Sequence, residues 1–244
     1  MFEKILPEPV AIVETRGDIE VELFPEEELA VGMAVPKRRR EFTTARACAR
    51  EALHKLGLPA APITKGERGE PQWPTGVVGS ITHCDRYRAC AVAHAHSVLA
   101  LGIDADCNAP LPVGLISDIA RPEELPTLRR CASELPDINW DRLLFSAKES
   151  VYKAWFPLAH RWLGFEDAIV EIDPETGTFL VRLLVEGPSL TGALHGCSQD
   201  GSLATSTSAT GASLQGFVGR WIVHDGIVAT AIALMPAMAA DHSA

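Results

Sequence analysis

The sequence has no apolar run long enough to cross a bilayer, so no membrane-spanning helix is expected. The segment MFEKILPEPV lacks a charged stretch followed by an apolar one, so no secretory signal is expected and the cytoplasm is the expected compartment. None of Cys48, Cys84, Cys90, Cys107, Cys131 and Cys197 forms a C-x-x-C pair, which argues against structural zinc and for reduced, mostly buried thiols. Positive charge is in deficit: 22 Lys and Arg face 32 Asp and Glu, for a net charge of −10. A chain of that sign is not drawn to nucleic acid or to an anionic membrane surface, and aromatic and basic residues are not interleaved as single-strand binders need. Any anionic ligand must be held by a local cluster of cations. With 47% hydrophobic and 22% charged residues over 244 positions, there is enough apolar material for one large domain or two small ones.

The patterning predicts mixed helix and strand. Val10–Val13 and Ile19–Leu23 read as short strands, and the PEEE run at 25–28 as a helix start or loop. In FTTARACAREALHKLGL, Phe42, Ala45, Ala49, Leu53 and Leu56 recur at helical spacing and Gly57 is a C-cap candidate. The Pro- and Gly-rich stretch 59–76 reads as a long loop. Strands follow in Val77–Thr82, YRACAVAHA and SVLALGIDAD, then a short helical pattern near 121–134. LLFSAKESVYKAWFPLAH is a second strong helix, which Pro157 should kink or end. Strands are expected again at Ala168–Ile172, Thr178–Val185, Phe217–Val223 and Gly226–Leu234. Residues 187–216 read as a flexible loop and those after Pro236 as a frayed tail. FTTARACAREAL echoes FSAKESVYKAW, and each precedes strands. That pattern fits an internal duplication of two α+β units, and equally any two helices that are each followed by hairpins.

Four constellations carry chemistry. Asp104 and Asp106 sit two apart at a strand end, so both carboxylates share a face. A divalent cation, Mg²⁺ by its preference for hard oxygen, would offset their repulsion; a strand simply leaving for solvent would look the same. Glu149 and Lys153 are four apart on a helix. They suit a third metal ligand or base and a stabiliser of a leaving phosphate, or else an ordinary exposed pair. Lys37, Arg38, Arg39, Arg40, Arg46, Arg50, Lys65 and Arg68 form a basic set able to hold several phosphates; each alone is equally a solvated side chain. Thr82 and His83 end a strand with two phosphate donors, and protonation would make His83 the stronger one.

Taken in order, WPTGVVGSITHC, LGIDAD and LLFSAKESVYKAW resemble the 4′-phosphopantetheinyl transferase superfamily, and within it the two-lobed class serving siderophore, polyketide and non-ribosomal peptide carrier proteins. KRRREFTTAR and KGERGEPQWP match the same class, and the resemblance covers roughly residues 36–160. It implies an α+β fold of two pseudo-symmetric lobes, drawn here as 1–106 and 107–244, with the site between them. It implies transfer of 4′-phosphopantetheine from coenzyme A to a serine of an apo acyl or peptidyl carrier protein, with release of 3′,5′-ADP. By motif position, Asp104, Asp106 and Glu149 would hold Mg²⁺, and Glu149 would also serve as base. Lys153 would stabilise the leaving group. Arg38, Arg46, Lys65, Arg68, Thr82, His83 and Lys148 would bind coenzyme A.

One departure stands out. The family pattern G-I-D-x-E ends here in Asp106, shorter by one methylene, about 1.5 Å. A metal-bound water would fill the gap, at some loss of affinity or with a preference for Mn²⁺. The carrier is expected to meet an apolar surface in the 107–135 connection, at Leu111, Val113, Leu115, Ile116 and Leu125, rimmed by Arg121, Arg129 and Arg130. The chain is expected to be a monomer without nucleic-acid or membrane partners. The rival readings are a Mg²⁺-dependent nuclease or phosphodiesterase and a non-catalytic binder of coenzyme A or carrier.

Overall fold

The computed structural model describes residues 1–190, 195–197, 203–205 and 213–236. The first lobe is built on a three-stranded antiparallel sheet in the order β1 (Ala11–Thr15), β5 (Tyr87–His94), β4 (Val77–Cys84). A short helix α1 (Pro25–Val31) leads to α2 (Pro36–Lys55), which packs against β1 and β5. Pro36 occupies the first turn of α2, where its missing N–H is not needed. Phe42, Ala45, Cys48, Ala49, Ala52 and Leu53 form its buried stripe. Gly57 ends the helix in the left-handed region at φ +76°. Its N–H donates to the His54 carbonyl (2.8 Å), and the Leu58 N–H to that of Leu53 (3.0 Å), satisfying the last-turn carbonyls.

The second lobe is a five-stranded antiparallel sheet in the order β6 (Ala100–Cys107), β12 (Ile227–Leu234), β11 (Gly216–His224), β8 (Thr178–Leu183), β7 (Ala168–Asp173). Two short helices, α3 (Ile116–Ile119) and α4 (Leu125–Glu134), precede α5 (Trp140–Ala159), which lies on β6 and β12. Asp225 (φ +48°) and Gly226 (φ +72°) make the two-residue turn between β11 and β12, as an Asp-Gly pair favours. The protein is thus α+β, with one long helix on an antiparallel sheet in each of two lobes.

The lobes meet along β6. This strand hydrogen-bonds to β12 on one edge, and on the other it faces β4. There the Ile103 N–H donates to Ser80 Oγ (3.1 Å) and the Ala105 N–H to Thr82 Oγ1 (2.9 Å), so two β4 side chains satisfy an otherwise open strand edge. The division at residue 106 groups β6 with the first lobe; by backbone pairing it lies in the second lobe's sheet. One apolar cluster seals the junction, drawing Phe2, Ile5 and Tyr87 from the first lobe together with Ile103, Ala105, Ala229 and Ala231.

Several expectations are corrected. Residues 19–23 form no strand, and the Ile19 N–H instead donates to Thr44 Oγ1 at 3.0 Å. The 59–76 loop contains a two-residue ladder of β2 (Thr64–Lys65) and β3 (Pro71–Gln72). Helix α5 runs through Pro157 and stops at His160, which turns left-handed at φ +50°. Leu111 is buried, and Leu115, Ile116 and Leu125 pack on the second lobe's own core, which leaves Val113 as the exposed apolar side chain of the proposed carrier surface. Much of the predicted loop 187–216 lies outside the described residues, as do the residues after Pro236. Within that loop, β9 (His195–Cys197) pairs with β10 (Leu203–Thr205), and Ser189 bridges Ser213. Among the described residues no helix is long and apolar enough to cross a membrane.

Gly102 makes the junction possible. A Cβ there would lie 2.0 Å from the Ser150 carbonyl oxygen and 2.8 Å from the Ala154 nitrogen, both backbone atoms of α5. Gly102→Ala therefore has to push α5 off β6 and is expected to cost about 1–3 kcal/mol. Urea unfolding should show a lower midpoint at an unchanged m-value.

Candidate functional site

A cleft of about 430 Å³ opens between the lobes, within the range of small-molecule sites. Its walls come from four segments. Helix α2 supplies Arg38, Glu41, Phe42 and Arg46; the 65–73 loop supplies Lys65, Arg68 and Trp73; β4 supplies Gly79, Ile81 and His83; and α5 supplies Glu149, Tyr152 and Lys153, with its cap His160. The α2 residues share the cleft through helical spacing, because four residues bring Arg38, Phe42 and Arg46 back to one face. On β4, strand alternation turns His83 toward the cleft and Thr82 away from it.

The cationic wall is crowded. Arg46 is buried; its Nε donates to the Ile63 carbonyl (2.7 Å) and its guanidinium stacks on the Phe42 ring (3.9 Å). Burial, with further repulsion from Arg38 and Arg50, lowers its pKa to about 10 against the pull of Glu27. Burial and the charges of Arg38 and Arg46 also lower that of Lys65. Arg38 Nη1 lies 2.9 Å from His83 Nε2. A guanidinium can only donate, so His83 accepts through Nε2 and is neutral in this arrangement. Burial and then Arg38 hold its pKa below the usual value, while Glu41 raises it. Toward Arg38, His83 is thus an acceptor, whereas the sequence pattern predicts a donor. Glu41 steadies the pair, 3.6 Å from Arg38 and 3.7 Å from His83, and reaches Arg88 at 4.0 Å on its other side. Desolvated cations that depress one another's charged forms favour an anion between them.

The acidic side of the cleft lies at the β6–α5 contact. Lys153 Nζ donates to Asp104 Oδ1 (2.7 Å) and to the Ile103 carbonyl (3.1 Å). Thr82 Oγ1 donates to the same Asp104 oxygen at 3.2 Å. Burial and then the charge of Asp104 raise the pKa of Glu149, with Lys153 opposing. The structure therefore brings Asp104, Glu149 and Lys153 together, and Arg38, Arg46, Lys65, Arg68 and His83 line the same cleft.

Three expected residues lie elsewhere. Thr82 faces β6 and orients Asp104 instead of facing the cleft. Lys148 is buried in the second lobe, paired with Glu124 (2.9 Å) and donating to the carbonyls of Ile119, Phe165 and Ala168. Asp106 turns to Arg142, whose Nη1 donates to it at 2.6 Å, and it also accepts the Cys107 N–H. Sequence reasoning did not single out Arg142, which also ties down the Ala109 and Pro110 carbonyls. No motif marks it; only the folded path of the 107–110 segment brings it to Asp106.

Among the described residues, no group of three or more His, Cys, Asp and Glu side chains is placed to hold a metal ion. Two desolvated carboxylates that repel each other, Asp104 and Glu149, do fit a hard divalent cation. Such ions are commonly held by one or two carboxylates with water and substrate phosphates.

Comparison with known proteins agrees across the chain. Residues 26–93 match the 4′-phosphopantetheinyl transferase N-terminal domain, and residues 100–206 match the 4′-phosphopantetheinyl transferase superfamily. The chain is 49% identical over 223 residues to 4′-phosphopantetheinyl transferase Svp of Streptomyces mobaraensis, covering 91% of this chain and 83% of that protein. It is 44% identical over 243 residues to 4′-phosphopantetheinyl transferase Npt of Nocardia iowensis, covering 96% and 99%. It is 44% identical over 215 residues to 4′-phosphopantetheinyl transferase PptT of Mycobacterium tuberculosis, covering 86% of each. Enterobactin synthase component D of Salmonella typhi is 34% identical over 121 residues, 49% of each chain.

The Glu41 bridge has a measurable consequence. Glu41→Gln removes the charge that raises the His83 pKa, so the imidazole should titrate at lower pH than in the parent protein. Following the ring resonances by NMR from pH 8 to 5 checks the sign.

Proposed function

This chain belongs to the 4′-phosphopantetheinyl transferase superfamily, and on that premise we propose that its cationic wall holds the phosphates of coenzyme A while Glu149 and Lys153 carry the transfer. The protein is an enzyme that transfers 4′-phosphopantetheine to carrier proteins. Coenzyme A is the substrate that supplies the group. The observation that carries the site assignment is the convergence of Arg38, Arg46, Lys65 and His83, from helix, loop and strand, on one cleft of an otherwise acidic protein. Arg38, Arg46, Lys65, Arg68 and His83 are proposed to receive the 3′-phosphate and pyrophosphate. The neutral His83 can take up a proton as the anion arrives.

In the transfer, the carrier serine oxygen forms a bond to the phosphorus bearing pantetheine, and the bond from that phosphorus to the oxygen of 3′,5′-ADP breaks. Glu149 is proposed to orient the carrier serine and receive its proton as the new bond forms. Lys153, held by Asp104 and the Ile103 carbonyl, offers an N–H to the leaving oxygen. Asp104 and Glu149 would hold a divalent cation, proposed as Mg²⁺ with Mn²⁺ the alternative. When bound, the ion neutralises charge on the pyrophosphate. Asp106, held by Arg142, anchors the start of the 107–110 segment and is not assigned to this set. The proposed partners are apo carriers of siderophore, polyketide or non-ribosomal peptide assembly, the proposed compartment is the cytoplasm, and the proposed state is a monomer.

The direct test incubates the enzyme with coenzyme A, Mg²⁺ and an apo carrier protein, then weighs the carrier. A gain of one phosphopantetheine that EDTA abolishes supports the reading. Bound coenzyme A without any gain overturns it. Arg38→Ala should raise the KM for coenzyme A about tenfold with kcat nearly unchanged, for loss of a charge-assisted hydrogen bond. Lys153→Ala should instead lower kcat by roughly 10²-fold, and steady-state kinetics separates the two.

Glu149→Gln should lower turnover by about 10²-fold or more while raising the melting temperature. The sign follows from its raised pKa. The folded state binds this proton more tightly than the unfolded one, so the group's favourable contribution is present at low pH and lost as pH rises through its folded value. At neutral pH in EDTA the parent therefore carries a desolvated charge facing Asp104, which the glutamine removes. Calorimetry should show the advantage of the variant at pH 7.5 shrinking toward pH 4.

A further inference from the structure

Beyond the transfer chemistry, and independent of it, the seam between the lobes holds two thiols that the reaction does not use. Along β4 and β6 the inter-lobe bonds advance in step: Ser80 with Ile103, then Thr82 with Ala105. Both strands advance by two residues in the same direction, so one further step sets Cys84 beside Cys107. Alternation along β4 turns Cys84 to the same face as Ser80 and Thr82. Cys84 packs on the junction cluster of Ile103, Ala105 and Ile227. Cys84 Sγ lies 4.0 Å from the Asp85 carbonyl oxygen, and Cys107 is among the neighbours that raise the Cys84 pKa further. Both are free thiols and both are half-buried. By contrast, Cys48, Cys90 and Cys131 are enclosed within a lobe.

We propose that Cys84 and Cys107 form a reversible dithiol–disulfide site that ties β4 to β6 across the lobe seam. With hydrogen peroxide as oxidant, one thiol is converted to a sulfenic acid and water is released. The sulfur of the second thiol then displaces the sulfenic oxygen, which leaves as a second water while the S–S bond forms. Two thiols lose two protons and two electrons, and one peroxide becomes two waters. Burial pushes the Cys84 thiol up to about 12, which disfavours Cys84 as the thiol oxidised first. Cys84 directly follows His83, so the bond would tie the cleft-side end of β4 to the end of β6.

The test treats the full chain with hydrogen peroxide, blocks remaining thiols with iodoacetamide and maps the digest by mass spectrometry. A parallel sample equilibrated in a glutathione redox buffer removes slow reaction as a cause of failure. The expected result is a Cys84–Cys107 cross-linked peptide, cleaved by dithiothreitol and absent in Cys107→Ser. Oxidation should raise the melting temperature of the parent protein by about 4–8 °C and leave that of Cys107→Ser unchanged. Full alkylation of both cysteines in both samples, or a link to any other cysteine, overturns the proposal. A mapped link without a higher melting temperature overturns the claim that it ties the lobes.

Discussion

The structure depends on how the two edges of β6 are satisfied. One edge is paired to β12 in the ordinary way, and the other is held by hydroxyls of β4. A buried strand edge with open N–H groups would be costly, and Ser80 and Thr82 remove that cost without merging the sheets. Gly102 lets α5 lie directly on the same strand. Asp104 therefore sits where β4, β6 and α5 meet. Thr82 reaches it from the first and Lys153 from the third. The acidic side of the cleft follows from this junction, where the second lobe's Asp104, Glu149 and Lys153 meet Thr82 of the first lobe.

The opposite wall is shaped by charge management in an acidic chain. Glu41 lies between Arg38, His83 and Arg88, and the buried Glu27 pairs with Arg50 while accepting the Ile63 N–H at 2.8 Å. The Ile63 carbonyl in turn holds Arg46. Glu41 in the wall and Glu27 behind it thus hold in place cations that repel one another. This is an arrangement poised for an anionic ligand, and a net charge of −10 does not reveal it.

Much of the fold was legible because α2 and α5 are strongly periodic and the strands around them alternate or run apolar. Residues 19–23 misled because β-branched residues favour a strand only when one edge finds a partner, and there the backbone bonds to a side chain instead. The site was legible where its members lie on one element: Arg38 with Arg46 on α2, Glu149 with Lys153 on α5. Reading neighbours as partners failed where direction matters. Successive helix positions diverge by about 100°, which sends Lys148 into the second lobe's interior beside Glu124 while Glu149 faces the cleft. Successive strand positions point to opposite faces, so His83 lines the cleft and Thr82 the seam.

The sequence by itself determined the inventory: which residues could bear charge, where the two long helices would form, and which order of motifs resembles the transferases. Only the tertiary structure decided the partners. Asp106 and Arg142 lie 36 positions apart and Lys148 and Glu124 lie 24 apart, and each pair meets because packing brings distant segments within hydrogen-bonding distance. Local periodicity sets the face from which a side chain projects. What it meets there depends on chain closure, which no local pattern encodes.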